Sequence, residues 1–215
     1  MTAKQNASDF FDSYAHDFDA IYRHKNSFIN RLINHFFRRS MRLRYRKTIE
    51  GCMPVEGRTA LDIGCGPGHY CIALAGWGIG EVWGIDFAPA MIELAQQKAD
   101  AAGVSEKCRF ITGDYSGYKF DRKFDYCILT GFMDYAAAPE RVIDKTLSLT
   151  SSKAFFSFPA AEGFLAWQRR IRYKKKCDLY MYSREEIEKL FSGKSCRDIK
   201  IEKISRDYFV TVLME

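Results

Sequence analysis

Long apolar runs are missing from this sequence: none approaches the roughly 20 residues that a membrane-spanning helix needs. A secretory leader is not expected either, because Met1 to Asp19 is polar and acidic. The seven cysteines are odd in number, scattered, and contain no C-x-x-C pair. That pattern argues against a zinc site and suits a reducing compartment, so no metal is expected and the expected location is the cytoplasm. Repeats and low-complexity linkers are absent. Acidic residues are missing from Ala20 to Ile49, although that stretch holds Arg23, Lys25, Arg31, Arg38, Arg39, Arg42, Arg44, Arg46 and Lys47. A second basic run spans Arg169 to Lys176. Two such segments point to an anionic partner or substrate.

What is present is a globular composition. Apolar residues make up 47% of 215 positions, enough for one domain with a substantial core. Phe28, Leu32, Phe36 and Tyr45, with Ile29, Ile33, Phe37, Met41 and Ile49, recur at helical spacing. They predict a basic amphipathic helix over 27–49, ended by Gly51 and Pro54. Strand and helix patterns then alternate. Strands are expected at Thr59–Ile63, Glu81–Asp86, Cys108–Thr112, Phe124–Thr130 and Ala154–Phe158. Helices are expected from His69, Pro89 and Glu140. This order calls for a parallel sheet covered on both faces. The tail reads as a capping box, Ser183 to Glu186, opening a short helix, then two strands, Asp198–Ile204 and Tyr208–Met214.

Leu61-Asp62-Ile63-Gly64-Cys65-Gly66-Pro67-Gly68 carries the chemistry. It reads as a strand, a glycine-rich turn and a helix start, and Asp86 closes the next strand. Such a turn places a nucleotide-like cofactor at the carboxyl edge of the sheet. A dinucleotide fingerprint requires G-x-G-x-x-G, whereas here the spacing is G-x-G-x-G and position 69 is His. The segment resembles motif I of the class I S-adenosylmethionine (SAM) dependent methyltransferases, of the small-molecule type. Phe10 to Asp19 is similar to the opening segment of many such enzymes. The implied fold is a Rossmann-like, doubly wound, seven-stranded α/β sheet, mostly parallel, with an antiparallel C-terminal hairpin. An N-terminal helical lid (1–53), a SAM-binding core (54–160), a basic acceptor-side insert (161–182) and a C-terminal helix and hairpin (183–215) would form one domain.

The resemblance also implies roles. Gly64, Cys65, Gly66 and Gly68 would bring backbone to the methionine end of SAM, with Asp62 near its amino group. Asp86 would accept the ribose hydroxyls, Phe87 and Met91 would sandwich the purine, and Asp114, beside Tyr115, would accept from the adenine amine. Thr130 ends the fourth strand, where the family's backbone faces the transferable methyl, and Tyr14 could fold back as a lid. Asp134 and Tyr135 are the candidate acceptor-facing catalytic residues; Tyr22, Arg46, Arg170 and Tyr173 are candidate acceptor contacts. His69 reads as a helix-start residue. No Asn- or Asp-Pro-Pro-aromatic motif, no Pro-Cys nucleophile and no paired-glutamate loop is present, which argues against amino-base, cytosine-C5 and arginine methylation. The expected function is methyl transfer to O or N of a small, acidic metabolite. An RNA methyltransferase, a membrane-peripheral lipid or quinone methyltransferase, and a non-catalytic SAM-binding module stay open as alternatives.

Overall fold

The computed structural model describes residues 28–163, 166 and 179–215, with side chains from residue 39 onward in the first helix. Helix α1 (Phe28–Cys52) leads into β1 (Thr59–Ile63), α2 (His69–Gly76) and β2 (Glu81–Asp86). Next come α3 (Pro89–Ala101), β3 (Cys108–Thr112) and β4 (Phe124–Leu129). Helix α4 (Pro139–Leu149), β5 (Thr150–Pro159), α5 (Arg184–Phe191), β6 (Asp198–Ile204) and β7 (Asp207–Leu213) complete the order. Proline at the first position of α3 and α4 sets φ where no amide partner is needed. At α5 the capping box closes from both sides: Ser183 accepts from the Glu186 amide at 3.2 Å, and the Glu186 carboxylate accepts from the Ser183 amide at 2.7 Å.

The seven strands lie in the order β3-β2-β1-β4-β5-β7-β6. The first five are parallel, and β7 inserts antiparallel between β5 and β6. The expected doubly wound sheet with its reversed hairpin is therefore present. Helices α1, α2 and α3 cover one face, over Ala60, Val82, Ile128, Phe155 and Phe209. Helices α4 and α5 cover the other, over Leu61, Ile63, Phe156, Phe158, Val210 and Val212. Successive strand residues alternate between these layers, so Ser157 shares the α1 side with Phe155. Each fully buried large side chain contributes roughly 1.5–3 kcal/mol relative to exposure.

Two elements differ from expectation. Strand β5 is longer than Ala154–Phe158, because its polar start at Thr150 to Lys153 extends along β4 and β7. Helix α1 runs past the expected 27–49 and through Gly51 to Cys52, where Lys153 donates to the Gly51 carbonyl at 2.8 Å and Lys47 pairs with Glu202 at 3.0 Å. Among the described residues, no helix is long and apolar enough to cross a membrane.

Candidate active site

The strand order reverses between β1 and β4, and their carboxyl ends open a crevice there. The glycine turn after β1 forms one wall. Gly64, Gly66 and Gly68 all have positive φ (69°, 50° and 74°), a backbone that side-chain-bearing residues rarely adopt. A Cβ at Gly64 would lie 2.9 Å from the ring of Phe132, just beyond β4, so the two strand ends touch across the crevice. The turn is held from β2. The Gly64 and Cys65 amides donate to the Ile85 carbonyl at 2.8 and 3.1 Å. Asp86 then clasps it: one carboxylate oxygen accepts from the Gly66 amide at 2.9 Å, the other from the Ala88 amide at 3.0 Å.

Asp62 lies beneath the turn, 2% exposed. Burial pushes its carboxyl up to about 7; the Cys71 thiol, which donates to it at 3.7 Å, lowers it, and the Asp86 charge raises it further. A carboxyl so placed ionises readily only when a cation arrives.

On the α1 side of the crevice stands a buried polar cluster. Arg44 Nη1 donates to Ser157 Oγ at 3.1 Å, and the same oxygen accepts from the Gly131 amide at 2.8 Å. Arg44 Nε lies 3.7 Å from an Asp207 carboxylate oxygen, and Ser40 donates to that carboxylate. Tyr70, next to the glycine turn, packs its ring 5.6 Å from Tyr45. Burial raises its phenol above the usual range, while the Arg44 charge lowers it. At the far end of the insert, the Tyr180 amide donates to the Asp134 carbonyl at 2.9 Å, and the Tyr182 hydroxyl to the Met133 carbonyl at 3.4 Å. The insert thus returns to the same edge of the sheet.

Residues 60–151 match the methyltransferase domain family. Over that span the chain is similar to the methyltransferase domain. Magnesium protoporphyrin IX methyltransferase from Synechocystis PCC 6803, solved with bound S-adenosylhomocysteine (SAH), superposes over 99% of this chain and 100% of its own, with a TM-score of 0.75 and 21% identity. A demethylmenaquinone methyltransferase from Geobacillus sp. is 33% identical over 120 residues, covering 54% of this chain and 49% of that protein. The biotin biosynthesis bifunctional protein BioHC from Teredinibacter turnerae is 28% identical over 144 residues, covering 63% of this chain and 23% of that protein. The chain therefore spans about half or less of the length of these curated relatives.

Within the methyltransferase domain, Asp62, Gly64, Cys65, Gly66, Gly68 and Asp86 converge on one turn, while Phe87 beyond it is 38% exposed. Met91 is buried against Ala88, leaving Phe87 as the open face of the expected purine sandwich. Asp114 is exposed, and one of its oxygens accepts from the Ser116 amide. Tyr115, expected beside the adenine, points into the core instead: it is 3% exposed and its hydroxyl meets Thr146 at 2.9 Å. Thr130 and Tyr135 are half-buried, and Asp134 is buried. Arg46, expected to meet the acceptor, turns to solvent with a side chain 63% exposed and pairs with Glu50 at 3.8 Å. Tyr14, Tyr22, Arg170 and Tyr173 lie outside the described residues. The sequence reading missed Arg44, Ser157, Tyr70 and Asp207. The signal for Arg44 was the four-residue stripe Phe28, Leu32, Phe36, which continues in phase through Ser40, Arg44 and Thr48. Ser40 and Thr48 are at most 1% exposed.

Proposed function

We propose that this domain is a working methyltransferase that binds SAM on the Gly64–Gly68 turn and methylates an oxygen or nitrogen of a small, acidic metabolite. The observation that carries this reading is the Asp86 clasp, which presents an open glycine turn and a second carboxyl, Asp62, on one edge. Asp62 would hold the cofactor's ammonium, Asp86 the ribose hydroxyls, Phe87 the purine and Asp114 the adenine amine. Bound SAM supplies a methyl on a sulfonium, which leaves as a neutral thioether. The protein's part is then alignment and exclusion of water. Gly131, held by Ser157, and Phe132, packed on Gly64, fix the backbone at the end of β4 where the acceptor would approach. A general base is needed only for an acceptor that is protonated at the working pH. The acidic character of the acceptor is supported by the basic stretch of α1, which holds no acid before Glu50.

Calorimetric titration with SAM, SAH and NAD tests the reading. Binding of both adenosyl ligands without NAD supports it, and an acceptor screen from carboxylates and phosphates follows. Failure of folded protein to bind either adenosyl ligand refutes it. A second reading, a quinone or lipid acceptor, is supported by the sequence matches to demethylmenaquinone methyltransferases. Pelleting with anionic vesicles separates the two.

A further inference from the structure

We propose that Arg44 is the anion-recognition residue of the acceptor site: an oxyanion of the acceptor, carboxylate or phosphate, docks on its guanidinium beside Gly131. This assignment rests on methyl transfer at this edge, as proposed above, and names the residue and the ligand chemistry that select the acceptor.

Arg44 differs from its neighbours on α1. Arg39, Arg42 and Arg46 are exposed, and Lys47 is paired with Glu202. Arg44 turns its head toward the sheet, and its side chain is 13% exposed. A guanidinium placed there loses hydration that only oxygen acceptors can replace. It carries five donors, yet Ser157 takes one from Nη1, and Nε is buried with no hydrogen-bond partner among the described residues. Asp207 balances the charge from 3.7 Å without accepting that hydrogen bond, and Ser40 donates to Asp207 and holds it in place. The donor set is therefore charged, anchored and underused.

Its location supplies the second argument. Gly131 follows β4 with φ 84°, and a Cβ built on it would come 3.5 Å from Arg44 Nη1. The glycine leaves the guanidinium directly beside the backbone that ends β4. Tyr70 and Thr130 add a phenol and a hydroxyl on the same side, and the Tyr45 ring extends an aromatic wall. An acceptor whose oxyanion engaged Arg44 would be held at a fixed distance from the end of β4. A carboxylate or phosphate suits a guanidinium because two parallel N–H donors meet two oxygens, a match that lysine cannot reproduce. Asp207 repels the incoming anion, so fragment anions should bind weakly and depend wholly on Arg44.

The test uses protein saturated with SAH, titrated with benzoate, inorganic phosphate and neutral benzamide. Saturable binding of benzoate or phosphate, with none of benzamide, is expected, and the anion that binds identifies the class. Arg44→Lys should weaken that anion about tenfold while leaving SAH affinity within about twofold. If Arg44→Lys does not fold, Ser157→Ala decides, because loss of the Nη1 anchor should weaken the same anion about threefold. Anion binding unchanged in either folded variant overturns the proposal, as does absence of anion binding when SAH binds normally. Failure of SAH itself to bind overturns the cofactor reading and this assignment with it, and that outcome is distinct from the others.

Discussion

Raising the pH from about 6 to about 8 should tighten SAH binding about tenfold, through Asp62. Burial holds this carboxyl up to about 7, more than offsetting the Cys71 thiol that donates to it. In the unliganded fold it holds its proton up to about pH 7, whereas in an unfolded chain it ionises at about 3.9. Its contribution to folding stability is thus complete below that lower value and lost as pH rises through about 7. Ligand binding follows the opposite slope, because the ammonium of the ligand is attracted to the ionised carboxylate. One pH unit below the folded value, about ten of every eleven molecules must first lose a proton; one unit above, only about one in eleven. The ratio is about tenfold in affinity, or about 1.4 kcal/mol. Calorimetry in two buffers of different ionisation enthalpy measures both the affinity and the proton released. Release should approach one proton per ligand at the acid end. Asp62→Asn should flatten the profile and weaken binding at the alkaline end. A flat profile in the unaltered protein, or proton uptake on binding, would refute the placement of Asp62 under the ammonium.

Other substitutions have separate expected outcomes. Asp86→Ala removes the clasp on Gly66 and Ala88 as well as the proposed ribose contact, and should cost SAH binding about 1.5–3 kcal/mol by calorimetry; unchanged affinity would refute its place in the site. Gly64→Ala must adopt φ 69° and press on Phe132; it should lower stability by roughly 1–3 kcal/mol in urea denaturation and weaken SAH binding. Tyr115→Phe should cost about 1 kcal/mol of stability through loss of the Thr146 contact and leave SAH affinity unaltered; weakened SAH binding would return Tyr115 to the cofactor. Phe158→Ala, at 0% exposure among aromatic neighbours, should cost about 3–5 kcal/mol in the same denaturation assay.

The parallel core was legible because its strands are short apolar runs bounded by glycine, proline or acid. β1, β2 and β3 fall where the pattern put them. The start of β5 was not legible, since Thr150 to Lys153 is polar and joins the sheet only where Thr150 and Lys153 pair with β4 and Lys153 with β7. The glycine turn and Asp86 were legible from spacing, which constrains the backbone directly. Side-chain direction was harder to read. Tyr115 follows an acid at a strand end, a place shared by cofactor contacts and core residues, and its packing under α4 decides between them. Arg46 and Arg44 are two positions apart on a helix rich in arginine, so charge alone could not say which one faces inward. That depended on Ser157 and Asp207, far away in the chain.

The inverted hairpin gives assembly an order. β7 follows β6 in the chain but lies inside it, so β6 joins the sheet only through a strand made later. Asp207, the first residue of β7, anchors Ser40 across a sequence separation of 167 residues. Closing so long a loop is slow and entropically costly. The glycine turn and its Asp86 clasp require only β1 and β2, whereas the Arg44 cluster needs strands from both ends of the fold. A nascent chain can therefore shape the glycine turn early, while the Arg44 cluster is the last part of this edge to form.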